Sequence, residues 1–317
     1  SISMYDKMEE SIKQRKKGEP VRFIYDENMN KELLVFLKSA IGISPYDHVA
    51  PSGRYHNFKD LMKFPDFSKP KFVFPKLPPL NHPDLTNQVS IIKSVLKKDI
   101  LLHYPYHKFD HLVDLLREAA IDPKVQEIKI NIYRVAHKSQ VIHALINAIK
   151  NGKEVTVVME LQARFDEENN MYWSTVLREQ GAKIIYGVPG LKVHSKLIQI
   201  TRKTGNLTQL ITHVGTGNFH GGTAKIYTDF GLLTANPLIT KEVKKVFNLL
   251  ENNIERGIYK QLLVSPFNTR RKFIQLINNE IKNCKKGKTA TIDIKINNLV
   301  DAKMIKKLYD ARSEEHT

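Results

Sequence analysis

Glu154-Val155-Thr156-Val157-Val158-Met159-Glu160-Leu161 reads as a strand buried on both faces, because β-branched residues run through it without the polar alternation of a half-exposed strand. Working outward, helical and strand patterns take turns. Before it come a helix over 140–151, a strand over 125–133, a helix over 109–120 and a strand over 100–103. After it come a helix over 167–179 and a strand over 182–186. Such alternation predicts an α/β unit, a largely buried sheet covered by helices. Two more strands, 196–201 and 207–214, are joined by Thr204-Gly205-Asn206, a hairpin turn. A strand over 228–233 and a helix over 237–251 that opens on a proline complete the unit.

The flanks read differently. A charged helix over 5–17, a strand over 21–25, a helix over 30–41 with Leu33, Leu34, Leu37 and Ile41 on one side, and a short segment over 58–62 suggest a small α+β unit. Residues 64–83 carry six prolines and read as an extended connection, with a domain boundary following. Beyond 262–265 the scheme restarts with a helix over 269–283, a strand over 291–296 and a helix over 301–311. Three parts are therefore expected: 1–80, 81–261 and 262–317.

The 317 residues carry 50 Lys and Arg against 33 Asp and Glu, a net charge of +17. That excess concentrates polyanions, whether nucleic acid, anionic lipid, nucleotide or polyphosphate. The single cysteine, Cys284, excludes an internal disulfide and a Cys-based zinc site, and fits a reducing compartment, by default the cytoplasm. No run approaches the length of a membrane span, and residues 1–10 lack the apolar core of a signal peptide. The chain begins without Met and ends in Glu-Glu-His-Thr, so a fragment of a longer protein is expected.

Chemistry concentrates in Gly187-Val188-Pro189-Gly190-Leu191-Lys192-Val193-His194-Ser195-Lys196-Leu197-Ile198. Side chains two apart on a strand share a face, so His194 and Lys196 place an imidazole beside an ammonium, an arrangement suited to taking up a phosphoryl group. A polar face on an edge strand is the plainer account of that spacing alone. Four other stretches fall at strand ends, where open α/β sheets place their sites. Arg134 closes a strand and could equally pair with a surface carboxylate. Gln162-Ala163-Arg164-Phe165-Asp166-Glu167 precedes a helix that Asp166 could cap. Gly215-Thr216-Gly217-Asn218 follows a strand and could be a tight turn needing positive φ. Tyr227-Thr228-Asp229 precedes another strand, where Tyr227 could be a core aromatic.

His-x-Lys followed after one hairpin by Gly-Thr-Gly-Asn resembles a half-site of the phospholipase D superfamily, which implies that superfamily's mixed sheet flanked by helices. There a His attacks phosphorus, a Lys neutralises the phosphate, and an Asn, here Asn218, helps orient it. The Asp usual after the Lys is missing from Leu197-Ile198-Gln199-Ile200-Thr201-Arg202, which counts against a phosphodiesterase.

Five longer words sharpen the resemblance. Asp99-Ile100-Leu101-Leu102-His103-Tyr104-Pro105-Tyr106-His107, Lys129-Ile130-Asn131-Ile132-Tyr133-Arg134, the Glu160-to-Glu167 word, the Pro189-to-Lys196 word and Tyr227-Thr228-Asp229 are similar, in order and spacing, to the motifs of the ATP-dependent polyphosphate kinase family. Gly53-Arg54-Tyr55-His56-Asn57-Phe58 is similar to that family's head domain. The resemblance implies reversible transfer of the terminal phosphate of ATP to polyphosphate through a phosphorylated His194, with Lys196 stabilising the charge. It also implies nucleotide contact at Tyr227 and a Mg2+ site at Arg134 and Arg164.

Because guanidinium only donates, those arginines are expected to clamp phosphate oxygens beside a magnesium held by phosphates, water and a carboxylate such as Glu160 or Asp166. An imidazole with an ordinary pKa of about 6.5 is mostly neutral at pH 7, as attack requires. The implied partners are ATP or ADP and polyphosphate, with a homo-oligomeric full-length protein and no specific nucleic acid. Peripheral membrane association stays open. The resemblance further implies a second essential His and more phosphate-binding Arg in a second half continuing beyond Asp301, and an N-terminal domain ahead of residue 1, so this chain is expected to hold the nucleophile without a complete active site. The competing readings are a phospholipase D-like phosphodiesterase or nuclease and a non-catalytic polyanion-binding module.

Overall fold

Packing divides the chain into two units, Ser1–Pro78 and Pro79–Thr317. The structure is a computed structural model that describes residues 4–15, 17–65, 69–75, 77–86, 90–163, 165–188, 190–252 and 257–313. In the first unit, helix α1 (Met4–Arg15) precedes strand β1 (Arg22–Asp26), helix α2 (Lys31–Ala40) and strand β2 (His48–Ser52). Asn30 starts α2 by accepting from the amides of Glu32 and Leu33, as an N-cap should. β1 and β2 pair in parallel, Arg22 opposite His48. The second strand escaped the sequence pattern because it is short and contains Pro51, which is tolerated where a strand has a free edge.

The second unit opens with helix α3 (Ile91–Lys97), strand β3 (Ile100–Tyr104), helix α4 (Asp110–Ile121), strand β4 (Val125–Ile132), helix α5 (Gln140–Lys150), strand β5 (Glu154–Met159), helix α6 (Glu167–Glu179) and strand β6 (Lys183–Tyr186). The hairpin β7 (Lys196–Thr204) and β8 (Leu207–Gly215), strand β9 (Asp229–Thr234) and helix α7 (Pro237–Asn252) follow. The seven strands lie in the order β3-β9-β8-β7-β4-β5-β6. This is the helix-covered sheet after an α+β unit that the alternation predicts, and the mixed strand order that the resemblance implies. β4, β5 and β6 are parallel, whereas β7 to β9 and β3 join by antiparallel ladders. Gly205, at φ 57°, turns the hairpin.

Ile128, Ile130, Ile132, Val157, Val158, Ile198, Ile200 and Ile211 are buried along the central strands. Each such side chain contributes about 1.5–3 kcal/mol on leaving water. Helix α3 is only seven residues long, too short to show a period; Ser90 caps it locally by accepting from the Lys93 amide at 3.0 Å, and α4 completes the cap. Glu118 on α4 accepts from the Ile91 and Ile92 amides at 2.7 and 3.1 Å and from the Ser90 hydroxyl.

Helices α8 (Thr269–Lys285) and α9 (Ala302–Ser313) end the described chain. The strand expected over 291–296 is not formed. Ile292, Ile294 and Ile296 alternate as a strand would, but no ladder partner stands beside them among the described residues, and a strand exists only through its ladder.

Glu251, near the end of α7, ties that helix to two strands by accepting from Lys129 on β4 and, at 3.1 Å, from Lys183 on β6. The Lys129 side chain, 13% exposed, keeps only Glu127 at 3.2 Å among the described residues if Glu251 is removed. Glu251→Leu is therefore expected to destabilise the fold by about 2 kcal/mol, read as a lower urea midpoint with an unchanged slope.

Candidate active site

β3, β4, β5, β6 and β8 run one way while β7 and β9 run the other, so the ends of the first five share one edge with the starts of the last two. Topology thereby gathers Tyr104, Arg134, the 160–166 loop, the 187–195 loop, Lys196, Gly215 to Asn218 and Asp229. Residues up to 125 positions apart in sequence meet there because the hairpin reverses the sheet.

His194 is held by backbone clamps on either side. Asn131, fully buried on β4, donates to the carbonyl and hydroxyl of Ser195 at 2.5 and 2.9 Å and accepts from the Leu197 amide at 2.6 Å. Glu160, 2% exposed, accepts from the Val193 amide through one carboxylate oxygen and from the Gln162 amide through the other, both at 2.9 Å. The Val193 and Leu197 side chains enter a core cluster with Val158, Val246 and Phe247. The imidazole between these anchors remains exposed.

Its surroundings are cationic. Lys196 is 3% exposed, its Nζ donates to the His194 carbonyl, and it lies 3.2 Å from each ring nitrogen of His194. Burial pushes the Lys196 ammonium down to about 8, against the pull of Asp229 and with some help from Arg134. Burial likewise lowers His194, and the charges of Lys196, Lys192 and Arg134 lower it further, so the ring is held neutral near pH 7. Tyr133 lies beneath this group. Its ring meets His194 edge-on with centroids 4.6 Å apart, and Lys196, Lys192 and Arg134 sit 5.2, 5.5 and 5.6 Å from its centre.

Of the remaining sequence candidates, Arg134 pairs with Asp166, Nε to Oδ2 at 2.9 Å, and the Asp166 side chain makes no capping bond to α6. Arg164 lies outside the described residues. Asn218 is half-buried, and its Oδ1 has no hydrogen-bond partner among the described residues. Tyr227 stands 61% exposed on the loop into β9, so it is not a core aromatic. His220, which follows the Gly-Thr-Gly-Asn-Phe turn, accepts from the Gly222 and Thr223 amides through Nδ1 and so caps the next turn.

The two glycines of that turn are there for space and not for positive φ, which neither adopts. A Cβ on Gly215 would meet His213 Cε1 at 2.4 Å, and one on Gly217 would meet Asp229 Oδ2 at 2.6 Å. Asp229 in turn accepts from the Thr216 hydroxyl at 2.7 Å.

These donors suit an anion. Among the described residues no three His, Cys, Asp or Glu side chains are grouped to hold a metal. Glu160, a magnesium candidate by sequence, has both oxygens engaged by backbone amides, and Asp166 faces Arg134. A resident magnesium does not fit this set of side chains. From sequence, Tyr133, Asn131 and His213 had no role, and Glu160 only that of a metal ligand. The available signal was polar residues interrupting apolar runs, as Asn131 does within Ile130-Asn131-Ile132.

The family description Polyphosphate kinase C-terminal domain 1 matches residues 90–256, C-terminal domain 2 matches 262–314 and the middle domain matches 1–64. A Polyphosphate kinase of Vibrio parahaemolyticus is 50% identical over 309 residues, which is 98% of this chain and 44% of the relative. One of Escherichia coli K12 is 46% identical over 313 residues, 98% of this chain and 46% of the relative. The crystal structure of Polyphosphate kinase from Porphyromonas gingivalis superposes with a TM-score of 0.80 at 38% identity, covering 94% of this chain and 45% of that one. The chain thus spans less than half the length of these relatives.

Proposed function

The chain belongs to the polyphosphate kinase family, and from that premise we propose that in the full-length protein His194 is the nucleophile of a reversible phosphoryl transfer between ATP and polyphosphate. The observation that carries the reading is the buried Lys196 ammonium 3.2 Å from both ring nitrogens of an exposed imidazole. A ring nitrogen of neutral His194 attacks the terminal phosphorus of ATP. The P–N bond forms as the P–O bond to ADP breaks, and ADP leaves with the electron pair. A terminal oxygen of polyphosphate then attacks the same phosphorus, and the pair returns to the imidazole.

Lys196 meets the charge on the phosphoryl group in both steps and disfavours protonation of the waiting ring. Arg134 clamps phosphate oxygens, as planar guanidinium does, with Asp166 orienting it, and Arg164 shares that role. Asn218 orients the phosphoryl group, and Tyr227 receives the nucleotide. Mg2+ would enter as part of a MgATP substrate, where it would supply charge neutralisation beside Arg134 and Arg164. The three matched segments support a division into part of a head domain (1–80), a phospholipase D-like domain (81–261) and the opening of a second (262–317). The lone Cys284 and the lack of any helix of the described residues long and apolar enough to cross a membrane agree with a cytoplasmic setting.

Incubating full-length protein with MgATP labelled at the terminal phosphate is expected to give protein-bound label that survives base and is lost in acid, as a phosphoramidate is. His194→Ala abolishes it. Label that persists in His194→Ala overturns the assignment.

A further inference from the structure

Three like charges, on Lys196, Lys192 and Arg134, gather around one imidazole, although they repel one another. Two carboxylates offset them, Asp166 against Arg134 and Asp229 acting on Lys196. What all three cations share is the Tyr133 ring, within 5.2 to 5.6 Å of its centre, with His194 edge-on to it. The faces of an aromatic ring are negative and its edge positive. Tyr133 is 8% exposed and directly follows the last residue of β4.

We propose that Tyr133 is a positioning residue whose ring faces hold Lys192, Lys196 and Arg134 at His194, setting the ring's protonation and the place where phosphate lands. The role in phosphate placement rests on the kinase reading above; the electrostatic role does not. The hydroxyl is dispensable, because the attraction comes from the ring. If the faces lose their negative charge, the cations spread, and His194 moves up toward an ordinary imidazole.

The test replaces Tyr133 in full-length protein with Phe and with pentafluorophenylalanine, which keeps the shape but inverts the charge on the faces, so folding is preserved. The midpoint of His194 is read from the pH dependence of its carbethoxylation by diethyl pyrocarbonate, followed by mass spectrometry of its peptide. Loading is read as label taken from ATP. Tyr133→Phe is expected to match the parent in both. The fluorinated ring is expected to raise the midpoint by about 0.5 unit or more and to slow loading about tenfold.

Equal midpoints for Phe and the fluorinated ring overturn the proposal, because Tyr133 then only fills space. A Tyr133→Phe protein as perturbed as the fluorinated one overturns it too, because the hydroxyl is then the working part. If none of the proteins takes label, the kinase reading fails while the midpoints still decide the role of Tyr133.

Discussion

Lys196→Met is expected to slow phosphate uptake by His194 by about 100- to 1,000-fold while leaving the fold at least as stable. The rate loss is that of a single fixed donor removed from a developing charge. The stability follows from the sign of the Lys196 shift. Its ammonium titrates at about 8 in the fold against an ordinary value of about 10.4. The unfolded chain therefore binds the proton more tightly, and at neutral pH the buried charge costs the fold up to about 3 kcal/mol. A methionine of similar length removes that cost.

The pH profile carries the same signature. Uptake in the full-length parent is expected to fall as pH drops and His194 protonates, and to fall again as pH rises through about 8 and Lys196 loses its charge. In Lys196→Met the alkaline limb disappears and the acid limb moves up in pH, because a neighbouring cation is gone. Single-turnover labelling between pH 5 and pH 10 checks both. An alkaline limb that survives the substitution would assign it to another group and remove Lys196 from the reaction.

Gly215→Ala is expected to cost about 3 kcal/mol, a fall in Tm of about 6–12 °C, at the upper end of what overpacking a core does. The added Cβ lies 2.4 Å from His213 Cε1, and a Cβ on Gly231, the partner of Gly215 on the next strand, would likewise lie 2.8 Å from His213 Nε2. His213 is 2% exposed and packs on Phe219 with centroids 5.5 Å apart, so the ring has nowhere to retreat. His213→Ala in the same chain opens the space, and the pair should then be less damaging than the two changes summed. Additive losses would mean that the strand itself, not the ring, resents the methyl. The measurement belongs above pH 7. Burial holds His213 down to about 4, so its contribution to stability is present above about pH 6.5 and is lost as pH falls toward 4.

The architecture was legible because its strands are buried on both faces and its helices are amphipathic. Such periodicity survives without tertiary information, and β4 through β9 lie close to where it places them. α3 and β2 were not legible, since one is a seven-residue helix whose start is completed by Glu118 on α4 and the other exists only by pairing with β1. The strand over 291–296 failed for the converse reason: the pattern is present and the neighbour is absent among the described residues. At the site, His194 and Lys196 were visible as a spacing. The clamps of Asn131 and Glu160 and the ring of Tyr133 were invisible, because each acts across 30 to 66 positions of sequence.

The reversed hairpin has a practical side. Lys196 begins β7, and Gly205-Asn206 lies at the strand's other end, about 30 Å away at some 3.3 Å per residue. Both tip residues are exposed. A fluorophore, an affinity handle or a tether to a surface can therefore be grafted at that tip, leaving the opposite rim, with His194 and Lys196, unobstructed.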